Sequence, residues 1–169
     1  MATKLDLRVR RGSDSDCAAM ARLINSAFAV EKFIEGERTN EAELLERMQK
    51  GEFLVGSDGA GELEASVYVE VRGTRGYFGM LAVDPQRQGN GYGRKMVEAA
   101  EEYCREKGCT AMDLTVLSLR PELLPIYRKL GYAQSGVEEF RPSRPLKPGV
   151  ECHCIVMSKE LEFRCARQG

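Results

Sequence analysis

The stretch VDPQRQGNGYGRKMVEAA, residues 83–100, leaves an apolar run, passes through glycines at 89, 91 and 93, and enters an amphipathic segment without a break. Those glycines remove side chains where the backbone turns tightly and where its N–H groups can approach a ligand. The helix that follows aims its unsatisfied N–H groups at the same point, which makes an anion site. Arg94 and Lys95 fall in the first turn of that helix, where the macrodipole disfavours each cation by roughly 0.3–1 kcal/mol. A bound anion removes the conflict; two side chains extended into solvent are the competing reading. The spacing excludes the dinucleotide fingerprint, because GxGxxG started at Gly89 ends on Arg94 and started at Gly91 ends on Met96. No GK[ST] follows, so a phosphate-binding P-loop is excluded too. The pattern that fits is Q-x-x-G-x-G over Gln88, Gly89, Asn90, Gly91, Tyr92 and Gly93.

Working outward, GYFGMLAV (76–83) is continuously apolar, as a central strand covered on both faces should be, and Pro85 stops it. Downstream, Gly108 ends the helix and CTAMDLTVL (109–117) supplies another buried strand, predicting a parallel, right-handed strand–helix–strand unit. Leu5, Leu7 and Val9 alternate with charges, which predicts a first strand. Met20, Leu23, Ile24 and Phe28 fall at helical spacing after the capping candidates of GSDSD. Thr39 and Asn40 cap a second helix, EAELLERMQK, that ends at Gly51. Residues 52–73 read as an antiparallel hairpin, with Val67, Val69 and Val71 alternating against Ser66, Tyr68 and Glu70. RPELLPIYRKLGY (120–132) is helical, with a kink or a late start imposed by Pro125. AQSGVEEF and ECHCIVMSKEL are terminal strands joined by the proline-rich loop RPSRPLKPGV. The fold class is α/β, one domain over 1–169 built on a mixed sheet with helices on both faces.

The 169 residues suit one such domain. Lys plus Arg (25) nearly balance Asp plus Glu (26), net −1, and the charges are interspersed, so no nucleic-acid partner is predicted. No stretch approaches the roughly 20 apolar residues of a membrane span, and the amino-terminal segment lacks a signal-like apolar run. A cytoplasmic protein with no membrane association is expected. Cys17, Cys104, Cys109, Cys152, Cys154 and Cys165 contain no CxxC pattern and read as free thiols. ECHC invites a metal, but in a strand Cys152 and Cys154 face opposite to His153, so no metal site is predicted.

With this order of elements, LAVDPQRQGNGYGRKMVEAAE (81–101) is similar to motif A, and LPIYRKLGY (124–132) to motif B, of the GNAT superfamily of acyl-CoA-dependent N-acetyltransferases. The resemblance spans nearly the whole chain. It implies the GNAT-like acyl-CoA N-acyltransferase fold, acetyl-CoA as co-substrate, and an amine acceptor, either a small molecule or a protein amino terminus. It places the pyrophosphate on backbone N–H groups within Gln88 to Arg94, and the pantetheine arm along Leu81, Ala82 and Val83. A backbone N–H near Leu81 would polarise the thioester carbonyl. Tyr127 stands where many members place the tyrosine that protonates the departing sulfur; its helical face, shared with Leu123 and Leu130, equally suits a core residue. Motif B often carries an asparagine where this chain has Arg120, so contacts from that end do not carry over. Relatives often supply the base from the central strand, but YFGML holds Gly79 and no acid. Glu70 is the preferred base, ahead of Glu31, Glu35, Glu37 and His153. The loop AVEKFIEGERTN is net acidic, which favours a cationic acceptor, while the basic loop RPSRPLKPGV blurs that inference. A homodimer is a family-level expectation. Two rival classes are an acyl-CoA-binding sensor without catalysis and a nucleotide-binding regulatory domain.

Overall fold

In the computed structural model, residues 7–59, 61–142 and 144–162 are described. Strand β1 (Arg8–Arg11) leads into α1 (Cys17–Ala27) and α2 (Glu41–Met48). Strands β2 (Glu52–Ser57), β3 (Leu63–Arg72) and β4 (Arg75–Val83) follow, then α3 (Tyr92–Glu106), β5 (Ala111–Leu117), α4 (Leu124–Lys129), β6 (Ala133–Glu139) and β7 (His153–Glu160). The seven strands form one sheet in the order β1-β2-β3-β4-β5-β7-β6. Only β4 and β5 run parallel; every other neighbouring pair is antiparallel.

The local signals act as physical chemistry requires. Asn40 caps α2 by accepting from the Glu43 amide at 2.9 Å, with Glu41 and Glu43 in the first turn and Arg47 in the last, a charge order that complements the dipole. A 3-10 turn at Pro121–Leu123 precedes α4, and Pro125 lies in the first turn of α4, where its missing N–H costs nothing. That is the late start the sequence required. Leu7 is buried, but β1 itself is an exposed edge strand and Val9 faces solvent; Leu5 lies outside the described residues.

Side chains alternate across the sheet and feed two cores. On one face, Met20 and Ile24 of α1 and Leu44 of α2 pack on Phe53, Val55, Tyr68, Met80 and Ala82. On the other, Met96, Val97 and Ala100 of α3 and Tyr127 of α4 pack on Val67, Val69, Phe78, Leu114 and Val116. Helices therefore cover both faces. Glu101 of α3, buried, accepts from the Tyr132 hydroxyl at 2.7 Å and the Lys159 ammonium at 3.2 Å, tying α3 to the chain after α4 and to β7.

One irregularity positions the site. Tyr68 pairs with Gly79 and Ser66 with Ala82, so β4 spends one residue more than β3 between the two pairs. That is a β-bulge. Met80 adopts φ 51° within it, a region that side chains rarely occupy and that marks stored strain. The extra residue reverses the alternation: Phe78 and Leu81 share the α3 face, while Met80 turns to the α1 face.

Candidate active site

Strand β4 keeps β5 as a partner only at Arg75, Gly76 and Tyr77, opposite Ala111, Met112 and Asp113. Strand β5 stays paired with β7 along its whole length, from Ala111 to Leu117. Beyond Tyr77 the two parallel strands diverge. A cavity of about 750 Å³ opens there, walled by Phe78 to Leu81 on one side and Leu114 to Leu117 on the other. An unpartnered β4 edge presents N–H and C=O groups to whatever lies in the gap.

The glycine loop closes one end of this cavity. Asp84 accepts from the Gln86 amide at 2.9 Å, and the Asn90 amide donates to the Arg87 carbonyl at 3.2 Å, so side chains fold the turn back on itself. Gly89 and Gly91 sit at φ 88° and 78°, Gly91 acting as the N-cap of α3. This is where glycine is required. Of the residues expected to meet the co-substrate, Leu81, Val83, Gln88, Gly89, Gly91, Tyr92 and Gly93 line the cavity. Ala82, Asn90 and Arg94 are not in its wall. Ala82 is buried in the opposite core, and Arg94 reaches Glu98 at 3.3 Å on the exposed face of α3. Its first-turn charge is thus answered along the helix.

Tyr127 lines the cavity and is also packed, its ring centroid 6.1 Å from Phe78 and 6.4 Å from Tyr132. The two readings of this residue coincide in one position. Burial pushes its phenol up to about 12, with the positive charge of Arg120 opposing. Its hydroxyl has no hydrogen-bond partner among the described residues. Gly79 has a packing reason: a Cβ there would stand 2.8 Å from the Tyr77 hydroxyl. The tyrosine occupies the space a strand acid would need.

The carboxylates separate clearly. Glu70 is not in the cavity wall. It accepts from the Tyr68 hydroxyl at 2.8 Å and pairs with Arg72 at 3.2 Å. Although burial opposes them, these hydrogen bonds hold it below the usual carboxylate range, the wrong direction for a base working near neutrality. Glu35 and Glu37 are exposed, and Glu37 accepts from Asn25 at 3.4 Å. His153 is exposed at the start of β7. Glu31 alone of these candidates lines the cavity. It is buried, and one oxygen accepts from Arg120 at 2.8 Å while the other, Oε1, has no partner. Burial raises its carboxyl above the usual range, with Arg120 opposing.

The two loops assigned to the acceptor are joined. Ile34 and Leu146 form a β-bridge, Glu35 N–H donates to the Pro145 carbonyl at 3.0 Å, and Arg144 bonds Glu43. Ile34 and Arg38 of the first loop and Arg141, Pro142 and Arg144 of the second line the cavity. Its charge is not what the loop composition predicts. The wall holds six arginines (38, 47, 87, 120, 141 and 144) against Glu31 and Glu139. Glu35 and Glu37 point elsewhere, so the acidic sum of that loop does not reach the site. Arg38 and Arg47 had no local signature; Arg120 was legible only as a departure from the motif.

Cys17, Cys104, Cys109, Cys152 and Cys154 are free thiols, and Cys165 lies outside the described residues. No group of three or more His, Cys, Asp or Glu among the described residues is placed to hold a metal. No helix among them is long and apolar enough to cross a membrane.

Comparison with known proteins bears on this geometry. The sequence model of the acetyltransferase (GNAT) family matches residues 18–132, more than half of the chain. A mycothiol acetyltransferase of Propionibacterium freudenreichii is 29% identical over 99 residues, covering 56% of this chain and 32% of that protein. The chain thus spans about a third of the length of this curated relative. The crystal structure of the ribosomal-protein-S18-alanine N-acetyltransferase from Escherichia coli superposes with a TM-score of 0.73 at 15% identity, covering 96% of this chain and 98% of the other. The yncA protein of Salmonella typhimurium, solved with its cofactor acetyl-CoA, gives 0.70 at 20% identity, covering 95% and 96%.

Proposed function

This chain belongs to the acetyltransferase (GNAT) family, and from that premise we propose that it moves the acetyl group of acetyl-CoA to a primary amine. The observation that carries the reading is the opened β4–β5 pair, which meets the glycine loop at one end and Tyr127 at its wall. The free edge of β4 at Leu81 to Val83 suits an extended pantetheine arm held like an added strand. The α3 N-terminus and the loop amides suit the pyrophosphate.

Each proton has a place. The acceptor arrives as an ammonium and gives one proton to Glu31, whose raised pKa fits it to that task. The neutral nitrogen attacks the thioester carbon, whose oxygen takes the developing charge near the Leu81 N–H. The C–S bond then breaks as the N–C bond is kept. The Tyr127 hydroxyl protonates the departing thiolate, the amide nitrogen loses its second proton to water, Tyr127 is reprotonated from solvent, and Glu31 returns its proton to solvent. The sum is one acetamide, one free coenzyme A and one proton. Glu31 replaces Glu70 as base in this scheme because it lines the cavity and Glu70 does not.

Calorimetric titration with acetyl-CoA, coenzyme A and ATP, followed by thiol release with an amine panel, tests the proposal. Selective binding of the first two with turnover supports it. Binding without turnover leaves a sensor module, and equal binding of ATP leaves a nucleotide-binding domain.

A further inference from the structure

Arg38, on the loop before α2, and Arg47, in the last turn of α2, both line the cavity. Among the described residues neither makes a hydrogen bond or ion pair with an acidic side chain. Arg38 stacks 5.5 Å over the Phe28 ring, and Arg47 stacks 5.4 Å over the Tyr68 ring. Aromatic faces thus hold both guanidiniums while leaving their N–H forks free. Burial and the like charge of Arg47 press the Arg38 guanidinium below the usual arginine range. Glu31 and Glu43 offset part of this repulsion, but they are bonded to Arg120 and Arg144.

Two guanidinium forks in one cavity wall suit a carboxylate, whose two oxygens each accept from a planar donor. The phosphates of coenzyme A are poorly placed to be that anion. Arg47 stacks on Tyr68, which pairs with Gly79, and Arg38 is within electrostatic reach of Tyr77. The glycine loop begins only after Val83, roughly 13 Å along the strand from Gly79 and roughly 20 Å from Tyr77 at about 3.3 Å per residue. Glu31 is within electrostatic reach of Arg38, and its Oε1 is buried without a donor. An unpaired buried carboxylate oxygen is costly until a donor meets it. A receptor for an anion and one for an ammonium therefore line the same cavity.

We propose that the acceptor is a small primary amine that also carries a carboxylate, an amino acid or close analogue, with the carboxylate on Arg38 and Arg47 and the ammonium at Glu31. The proposal rests on the acetyltransferase reading above and narrows it: a protein amino terminus has no α-carboxylate to offer, because its first peptide bond consumes it. The test uses the full chain with saturating acetyl-CoA and measures thiol release with each common L-amino acid beside its amide and its decarboxylated amine. At least one amino acid is expected to exceed both matched compounds in kcat/KM by about tenfold or more. Arg38→Gln and Arg47→Gln are expected to erase that preference while the acetyl-CoA dissociation constant, read by calorimetry, stays within about twofold. The Lys variants, which keep charge but not the fork, should retain part of it. The proposal is overturned if decarboxylated amines do as well or better, or if the preference survives both Gln variants. It is equally overturned if acetyl-CoA-loaded protein neither turns over nor binds any of the amino acids. Failure to bind acetyl-CoA at all is a separate result, and it removes the acetyltransferase reading beneath.

Discussion

Glu31 and Arg120, 89 positions apart in the chain, are joined by a 2.8 Å hydrogen bond that engages only one of the two carboxylate oxygens. The pair therefore does two things at once: it opposes the rise that burial imposes on the Glu31 carboxyl, and it leaves an oxygen unspent. Glu31→Gln is expected to lower kcat/KM by about 10²–10⁴. In the unmodified protein, activity should rise with pH through the raised pKa of Glu31, since the base proposed here acts in its charged form. Arg120→Gln removes the interactions that oppose that rise, so the acid limb should move to higher pH. It should also cost about 3 kcal/mol in stability, because a buried charge loses its partner. A pH–rate profile and a urea titration of each variant check these outcomes.

Tyr127→Phe separates chemistry from packing. The ring keeps its contacts with Phe78 and Tyr132, and the hydroxyl has no hydrogen bond to lose, so the melting temperature should hold. Turnover should fall by about 10² or more if the hydroxyl serves the leaving thiolate. With its phenol at about 12, Tyr127 should produce no alkaline limb below that value. Full activity in the Phe variant would return it to the core.

The loop glycines differ in what they allow. Gly91 has φ 78°, and replacing it with Ala forces an L-residue into the left-handed region at about 1–2 kcal/mol. Gly93 has ordinary backbone angles, and a Cβ there would meet Val83 at 3.8 Å. Gly93→Ala should leave stability within about 0.5 kcal/mol yet weaken acetyl-CoA binding if the co-substrate passes over that backbone. Calorimetry on the two variants, each with its own melting curve, distinguishes strain from contact.

Asp16 sits outside the site and reports on the fold alone. It accepts from both Arg10 guanidinium nitrogens, at 2.8 and 2.9 Å, and from the Ser13 amide at 2.8 Å. The Arg10 bonds, with burial opposing, hold it at about 2, against roughly 3.9 in an unfolded chain. Its contribution is fully present above the unfolded value and is lost as pH falls from about 4 through 2. Discounted for the exposure of Arg10, it amounts to about 1–2 kcal/mol. Asp16→Asn should lose that much at neutral pH and flatten the acid side of the stability profile.

The glycine loop, the strand–helix–strand unit and the late start of α4 were legible because each rests on neighbours in sequence: Gly89 with Gly91, Pro121 with Pro125. The parting of β4 from β5 was not. GYFGMLAV reads as a fully paired central strand, and only its partners reveal the divergence after Tyr77. Nor was the surrounding of Glu70 legible. Alternation on β3 put Glu70 opposite the valine stripe, correctly, but nothing local says that Arg72 and Tyr68 take up its carboxylate. The charge of the loop over residues 29–40 misled for a similar reason. A sum weighs Glu35 and Glu37 equally with Glu31, whereas the fold turns only Glu31 and Arg38 toward the cavity.

The junction of β4 and β5 has a mechanical consequence. Three residue pairs form the spine of a book whose leaves are β1 to β4 and β5 to β7. A bidentate clasp, Arg75 to Asp113 at 2.7 and 2.8 Å, locks the bound edge. Past the spine, the leaves are held by side chains of α3 and α4 instead of a continuous ladder. A molecule lying in the gutter with main-chain contacts on one leaf and side-chain contacts on the other would act as a splint. Amides of β4 and β5 should then slow their hydrogen exchange together on its arrival, in proportion to its concentration over its dissociation constant.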